Sequence, residues 1–272
     1  MGDATLIVLL RRDRYVVLAA LLSLTALAWI YLLHPAGVMA MPAADSAMPG
    51  MDMGGETMPA PTPWTAANIL LTFLMWLVMM VGMMTPSVAP VILIYARLGR
   101  QAEAHRRPFG STGWFAAGYF MAWTGFSLTA TIAQLALQGA ALLDSNIASS
   151  STLLSGIVFI LVGTYQWTKW KDRCLTQCQA PLLFIQRQGG FKSDARGAFA
   201  LGVRHGLYCV GCCWPLMLLL FIGGVMNLLW IAGIAILTYL EKNLAQGRLL
   251  TRMIGVGLIL CGCFVCYRAG LA

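Results

Sequence analysis

Four donor side chains fall within one short stretch, "RHGLYCVGCCWP": His205, Cys209, Cys212 and Cys213. His205, Cys209 and Cys213 recur at i, i+4 and i+8, with Cys212 at i+7, so a helix would present all four on one face. Imidazole beside thiols is a metal-ligating set. Three Cys and a His form one of the structural sets of zinc, whereas thiolates joined by thioethers select Cu(I). Thioethers are abundant in this chain, and eleven of its 16 Met lie between Met39 and Met84. Met75, Met79 and Met83 form a helical stripe with Met80 and Met84 beside it. This abundance makes Cu(I) the expected ion and zinc its competitor. The bland alternative is that Met fills irregular cores and Cys serves as a small buried hydrophobe.

Two further thiols, Cys174 and Cys178 in "KWKDRCLTQCQAP", stand at i and i+4 and suit a two-sulfur ion site if the segment is helical. Lys171 and Arg173 are expected to favour their thiolates. Cys261, Cys263 and Cys266 have no such spacing and read as small core residues. Glu241 and Lys242 read as an interfacial anchor, and Trp64, Trp114, Trp167, Trp170 and Tyr267 as aromatic belts. No carboxylate lies in the middle of an apolar run, which leaves a proton relay of the pump type without candidates. No phosphate-binding loop and no Ser/His/Asp set occurs. A binding protein is therefore expected rather than an enzyme.

The elements that must hold these side chains follow from composition. The chain has 272 residues, of which 59% are hydrophobic and 10% charged, a balance far too apolar for an ordinary soluble domain. Apolar runs approach or exceed the ~20 residues that cross a bilayer at 15–33, 66–95, 113–138, 152–170, 199–222, 225–241 and 250–268. The expected fold class is an all-α polytopic membrane helix bundle of about seven transmembrane helices. With the N-terminus inside, 17 of the 18 Lys and Arg face the cytoplasm and only Arg268 lies outside, as the positive-inside rule requires. The expected setting is a bacterial inner membrane, multi-pass, with a cytoplasmic N-terminus and an extracytoplasmic C-terminus. The net charge of +8 is dispersed over helix ends and marks topology and lipid rather than nucleic acid.

One word occurs twice, "VGMMTP" at 81–86 and "VGCCWP" at 210–215. Pro86 and Pro215 remove the helical partners of the Gly82 and Gly211 carbonyls. A bend is expected there, where glycine also admits a close neighbour. The two words lie on spans of opposite direction. After span one the chain divides into three plus three spans, the plan of a 1+3+3 inverted repeat with its site between broken helices. Residues 1–40 read as a signal-anchor helix, with a signal peptide cleaved after Ala40 as the alternative. Residues 41–64 read as an extracytoplasmic Met-rich flexible segment, and 65–272 as a six-helix membrane domain. His34, Met48, Met51 and Met53 are expected to capture metal outside. The Met75/Met79/Met83 and Cys209/Cys213 stripes are expected to face each other at overlapping depths.

At "MWLVMMVGMMTPS", "YQWTKWKDRCLTQCQAP", "HGLYCVGCCWPLM", "GVMNLLW" and "EK" the chain resembles a bacterial family of metal-binding integral membrane proteins. The likeness spans roughly residues 70–245. The family includes proteins that look like membrane copper chaperones supplying a tyrosinase. The resemblance implies a metal-binding role for His205, Cys209, Cys212, Cys213, Cys174 and Cys178. It also implies an apo-cuproenzyme, such as a tyrosinase, as partner. The rival function is a transmembrane thiol-disulfide oxidoreductase, which would need a resolving cysteine pair at each face. A structural subunit of a larger membrane complex is the third reading.

Overall fold

A computed structural model describes residues 19–30, 65–104, 112–143, 149, 151–190, 192, 194–244 and 246–271. The short N-terminal helix α1 is Ala19–Ile30. It is followed by α2 (Ala66–Ala104), α3 (Thr112–Gly139), α4 (Thr152–Tyr165), α5 (Lys169–Gln179) and α6 (Pro181–Arg187). The second half comprises α7 (Ala195–Leu218), α8 (Leu220–Gly223), α9 (Leu228–Asn243) and α10 (Gly247–Leu271). Among the described residues the only extended pairing is an isolated bridge between Leu143 and Ser149. The all-α expectation holds.

Among the described residues four stretches are long and apolar enough to cross a membrane: Ala66–Gly99, Thr112–Gly139, Ala195–Gly223 and Gly247–Gly270. They correspond to the second, third, fifth and seventh expected spans. The fourth differs most from expectation. Its helix α4 has 14 residues and stops at Tyr165, and a turn leads to Thr168, whose hydroxyl caps α5 by accepting from Lys171 N. The polar sequence "TKWKD" thus starts a new helix where the hydropathy pattern alone ran on. The sixth, α9, has 16 residues and is capped by Asn227, which accepts from Trp230 N. Of the first, α1 covers only Ala19–Ile30. The expected outer segment, with His34, Met48, Met51 and Met53, lies outside the described residues.

Both prolines of α2, Pro86 and Pro90, are accommodated within one 39-residue helix, and Pro215 within α7. The glycines of the repeated word serve close approach. A Cβ on Gly82 would meet Ala28 Cβ of α1 at 3.0 Å, and one on Gly211 would meet Cys174 Sγ at 3.0 Å. The parallel pair α3 and α7 packs backbone to backbone, because Gly118 and Gly202 leave room for the carbonyls of Phe199 and Phe115. α4 runs antiparallel to α10 through a similar small-residue seam, with Gly156 against Gly262 and Gly163 against Gly255.

The distribution of polarity is the reverse of that in a soluble bundle. Large apolar side chains such as Leu128, Ile132, Leu161, Leu229, Leu260 and Phe264 are exposed on the outer faces. Lys171, His205, Glu241 and Lys242 are buried inside. Among the described residues α10 is little covered, and most of its apolar surface faces outward. The centre is filled by Trp76, Trp123, Tyr95, Tyr119 and the α2 methionines Met79, Met80, Met83 and Met84. Trp76 Nε1 donates to Gln134 Oε1 at 2.7 Å, which ties α2 to α3.

Candidate functional site

The sulfur cluster forms where α5, α7 and the last turn of α9 meet. Helical spacing on α7 places Cys209 and Cys213 one turn apart, and both the Cys212 and Cys213 thiols donate to the Cys209 carbonyl, at 3.1 and 2.9 Å. All three are buried. From α5, Cys178 is buried beside Cys209 and Cys212, close enough for the three thiols to influence one another. From α3, the Tyr119 hydroxyl shares a hydrogen bond of 3.1 Å with Cys209 Sγ.

The sequence reading missed the group at the centre. Lys242 Nζ lies 3.0 Å from Cys209 Sγ, 3.7 Å from Cys213 Sγ and 3.5 Å from Met84 Sδ. The expected interfacial anchor is instead a buried cation surrounded by sulfur. Its neighbour Glu241 is buried as well and receives Lys171 Nζ at 2.8 Å. Gln179 Nε2 bonds the Glu241 carbonyl at 2.7 Å, so α5 grips the end of α9 at two points. The available signal was the rarity of charge: Glu241 and Lys242 are ionic residues at the end of an apolar run in a chain that is only 10% charged.

His205 is buried in a cage of Phe115, Tyr119 and Phe184 rings, with centroids 6.0, 5.9 and 5.0 Å away. Among the described residues its Nδ1 has no hydrogen-bond partner. A buried nitrogen without a partner costs about 1–3 kcal/mol, a cost that a bound ion or a proton-donating ligand would offset. His205 therefore stays a candidate ligand, one helical turn below Cys209.

Of the α2 methionines, Met84 is the one whose sulfur meets the lysine at the thiol cluster. Met75, Met79, Met80 and Met83 are buried in the surrounding core. From α2, the thioether contact at the thiol cluster is made through Met84, one residue beyond the expected Met75/Met79/Met83 stripe. Among the described residues, no three or more His, Cys, Asp and Glu side chains are grouped as a ready metal cage. The donors that do converge include a thioether, and an ammonium stands between them.

Cys174 lies beside Gly211 on α7 and lines an open groove with Gln188, Arg204, Leu207 and Tyr208. Partial burial, and then the nearby Cys212 sulfur, push its thiol above the ordinary range. This corrects the expectation that Lys171 would favour a thiolate here, because that ammonium is turned away to Glu241. The Gly211 carbonyl, freed by Pro215, is not left open either. Tyr165 Oη donates to it at 2.7 Å. In the last helix, Cys261 and Cys263 are exposed on the outer face rather than buried in the core, while Cys266 packs against Gly156.

Fold and site define a helical protein, with four helices among the described residues long and apolar enough to cross a membrane, holding a buried thiol and thioether centre closed by a lysine. The chain belongs to the PpoB2 family of copper chaperones, whose family model matches residues 73–265. That stretch contains every residue of the cluster and excludes α1 and the Met-rich segment. Comparison with curated proteins and with solved structures found no match.

Proposed function

We propose that this chain is a multi-pass membrane copper chaperone that binds Cu(I) at the cluster of Met84, Cys178, Cys209, Cys212 and Cys213 and passes it to an apo-cuproenzyme. The observation that carries this reading is the convergence of thiols from α5 and α7 with a thioether from α2 in one buried place. Soft, polarizable donors in a site shielded from water match a soft monovalent ion and disfavour harder ones. His205, with its bare Nδ1 one turn away, supplies a further donor as the ion moves along α7.

Cys174 and its groove form the exchange point on the inner side. A thiol there can accept the ion from a soluble donor and hand it to Cys212 and Cys178 by ligand exchange, one sulfur at a time. The remaining α2 methionines, Met75, Met79, Met80 and Met83, continue a thioether lining away from the thiols. The outer segment with His34, Met48, Met51 and Met53 then acts as a loose antenna, a role resting on composition alone. A bacterial inner-membrane location with the N-terminus inside rests on the distribution of Lys and Arg. In this arrangement α1, α4 and α9 complete the seven spans of a 1+3+3 plan, and a tyrosinase is the class of recipient that the family resemblance implies.

The test is metal analysis of anaerobically purified protein, wild type beside Cys209→Ser/Cys213→Ser. Copper bound by the wild type and lost from the double variant supports the reading. Copper that is absent, or unchanged by the substitutions, refutes it. Acid-quenched alkylation of the same samples tests the rival, since a disulfide that cycles among Cys178, Cys209 and Cys212 would mark a thiol oxidoreductase.

A further inference from the structure

We propose that Lys242 is an internal stand-in for the metal: its ammonium fills the cation seat made by Met84 Sδ, Cys209 Sγ and Cys213 Sγ, and incoming Cu(I) displaces it. The inference rests on the copper-binding reading above and adds the identity of the ion's competitor.

Three sulfurs from two helices stand 3.0, 3.5 and 3.7 Å from one nitrogen. An ammonium has three N–H donors, and here each has a sulfur to point at. Among the described residues Lys242 makes no ion pair with a carboxylate, since Glu241 is taken by Lys171. Sulfur is therefore its partner set, although the lysine is almost fully buried. A metal ion bonded to thiolate sits about 2.3 Å from sulfur, so an ion held by these three atoms would occupy nearly the position of Nζ. Two cations cannot share that space.

The exit is built into α9. Lys242 lies in the last turn, and the residues that follow it, Asn243 and Leu244, are exposed. A four-carbon stem next to a helix end can swing its charged head past that end toward water. The backbone need not follow, because Lys171 and Gln179 of α5 hold Glu241 by its carboxylate and its carbonyl. The moving part is one side chain.

Three consequences follow from this exchange. The empty site remains filled and charge-balanced, so it neither collapses nor stands open. With Cys209 as the thiolate and Cys213 as the thiol that donates to the Cys209 carbonyl, the ammonium-filled seat is neutral. Cu(I) or Ag(I) replaces the ammonium one charge for one with no proton released, whereas a divalent ion would leave the same buried donors with an excess positive charge. Returning lysine also assists release, which suits a protein that transfers its cargo.

The experiment titrates the reduced, full-length protein in detergent with Cu(I), or with Ag(I) as a redox-inert probe. Amine labelling of Lys242 and alkylation of Cys209 and Cys213 are read by peptide mass spectrometry. Loading is expected to raise Lys242 labelling several-fold while protecting the two cysteines. If the lysine leaves the seat in about a tenth of empty molecules, the upper end for a minor state, Lys242→Met lowers the Cu(I) Kd by about tenfold. Cysteines protected while Lys242 labelling stays unchanged would overturn this inference and leave the copper reading standing. No uptake and no protection in the wild type would overturn the copper reading itself. Should the variant not fold, the wild-type labelling decides alone.

Discussion

Replacing Glu241 with alanine strands the Lys171 ammonium inside the protein, and the cost can be worked from the structure. The pair is 2.8 Å apart, with side-chain exposures of 0% and 2%, so neither charge can turn to water. Removing one partner of such a buried pair costs about 3–5 kcal/mol. A chain of this size loses about 2–4 °C of Tm per kcal/mol, which puts the expected drop at about 6–20 °C. Replacing both partners, as Lys171→Met/Glu241→Leu, removes the uncompensated charge and also the Glu241 Oε1 that lacks a hydrogen-bond partner, and most of the loss is recovered. Thermal unfolding in detergent measures both variants. A second readout ties the pair to the site: with one of the two ties between α5 and α9 lost and an unpaired ammonium beneath α5, Cys178 is held less firmly beside Cys209 and Cys212, so its alkylation accelerates in the single variant and slows again in the double one. A single variant within about 1 kcal/mol of wild type, the value of an exposed pair, would refute the reasoning, as would a double variant no better than the single.

Three further outcomes are expected. Cys174, reachable through its groove but held protonated by partial burial, should show an alkylation rate whose pH midpoint lies above 9.0, the ordinary thiol value. Gly202→Ala would drive a methyl group into the Phe115 carbonyl of α3; overpacking of this kind costs about 1–3 kcal/mol, readable as a lower Tm. Met84→Leu keeps the volume but removes the thioether facing Lys242, and it should weaken Cu(I) binding in a chelator competition while the distant Met75→Leu leaves binding unchanged.

Much of this architecture depends on local pattern and was therefore legible in the chain alone. Hydrophobic runs mark α2, α3, α7 and α10. The i, i+4 spacing of Cys209 and Cys213, and of Cys174 and Cys178, already puts each pair on one helical face. Charge asymmetry and soft donors pointed to lipid and a soft ion, in line with the copper-chaperone family found for residues 73–265.

Which faces meet was decided elsewhere. Met84 and Lys242 lie 158 positions apart and Lys171 and Glu241 lie 70 apart, distances over which no helical period carries information. The break after Tyr165 turns α5 back along α7, and only that turn brings Cys178 to Cys209 and buries Lys171. Residue type and local spacing determined the donors and the helices that carry them, because both are short-range properties of the backbone. Tertiary packing alone decided that the donors converge on a lysine, because burying a charge demands partners and the nearest ones belong to other helices.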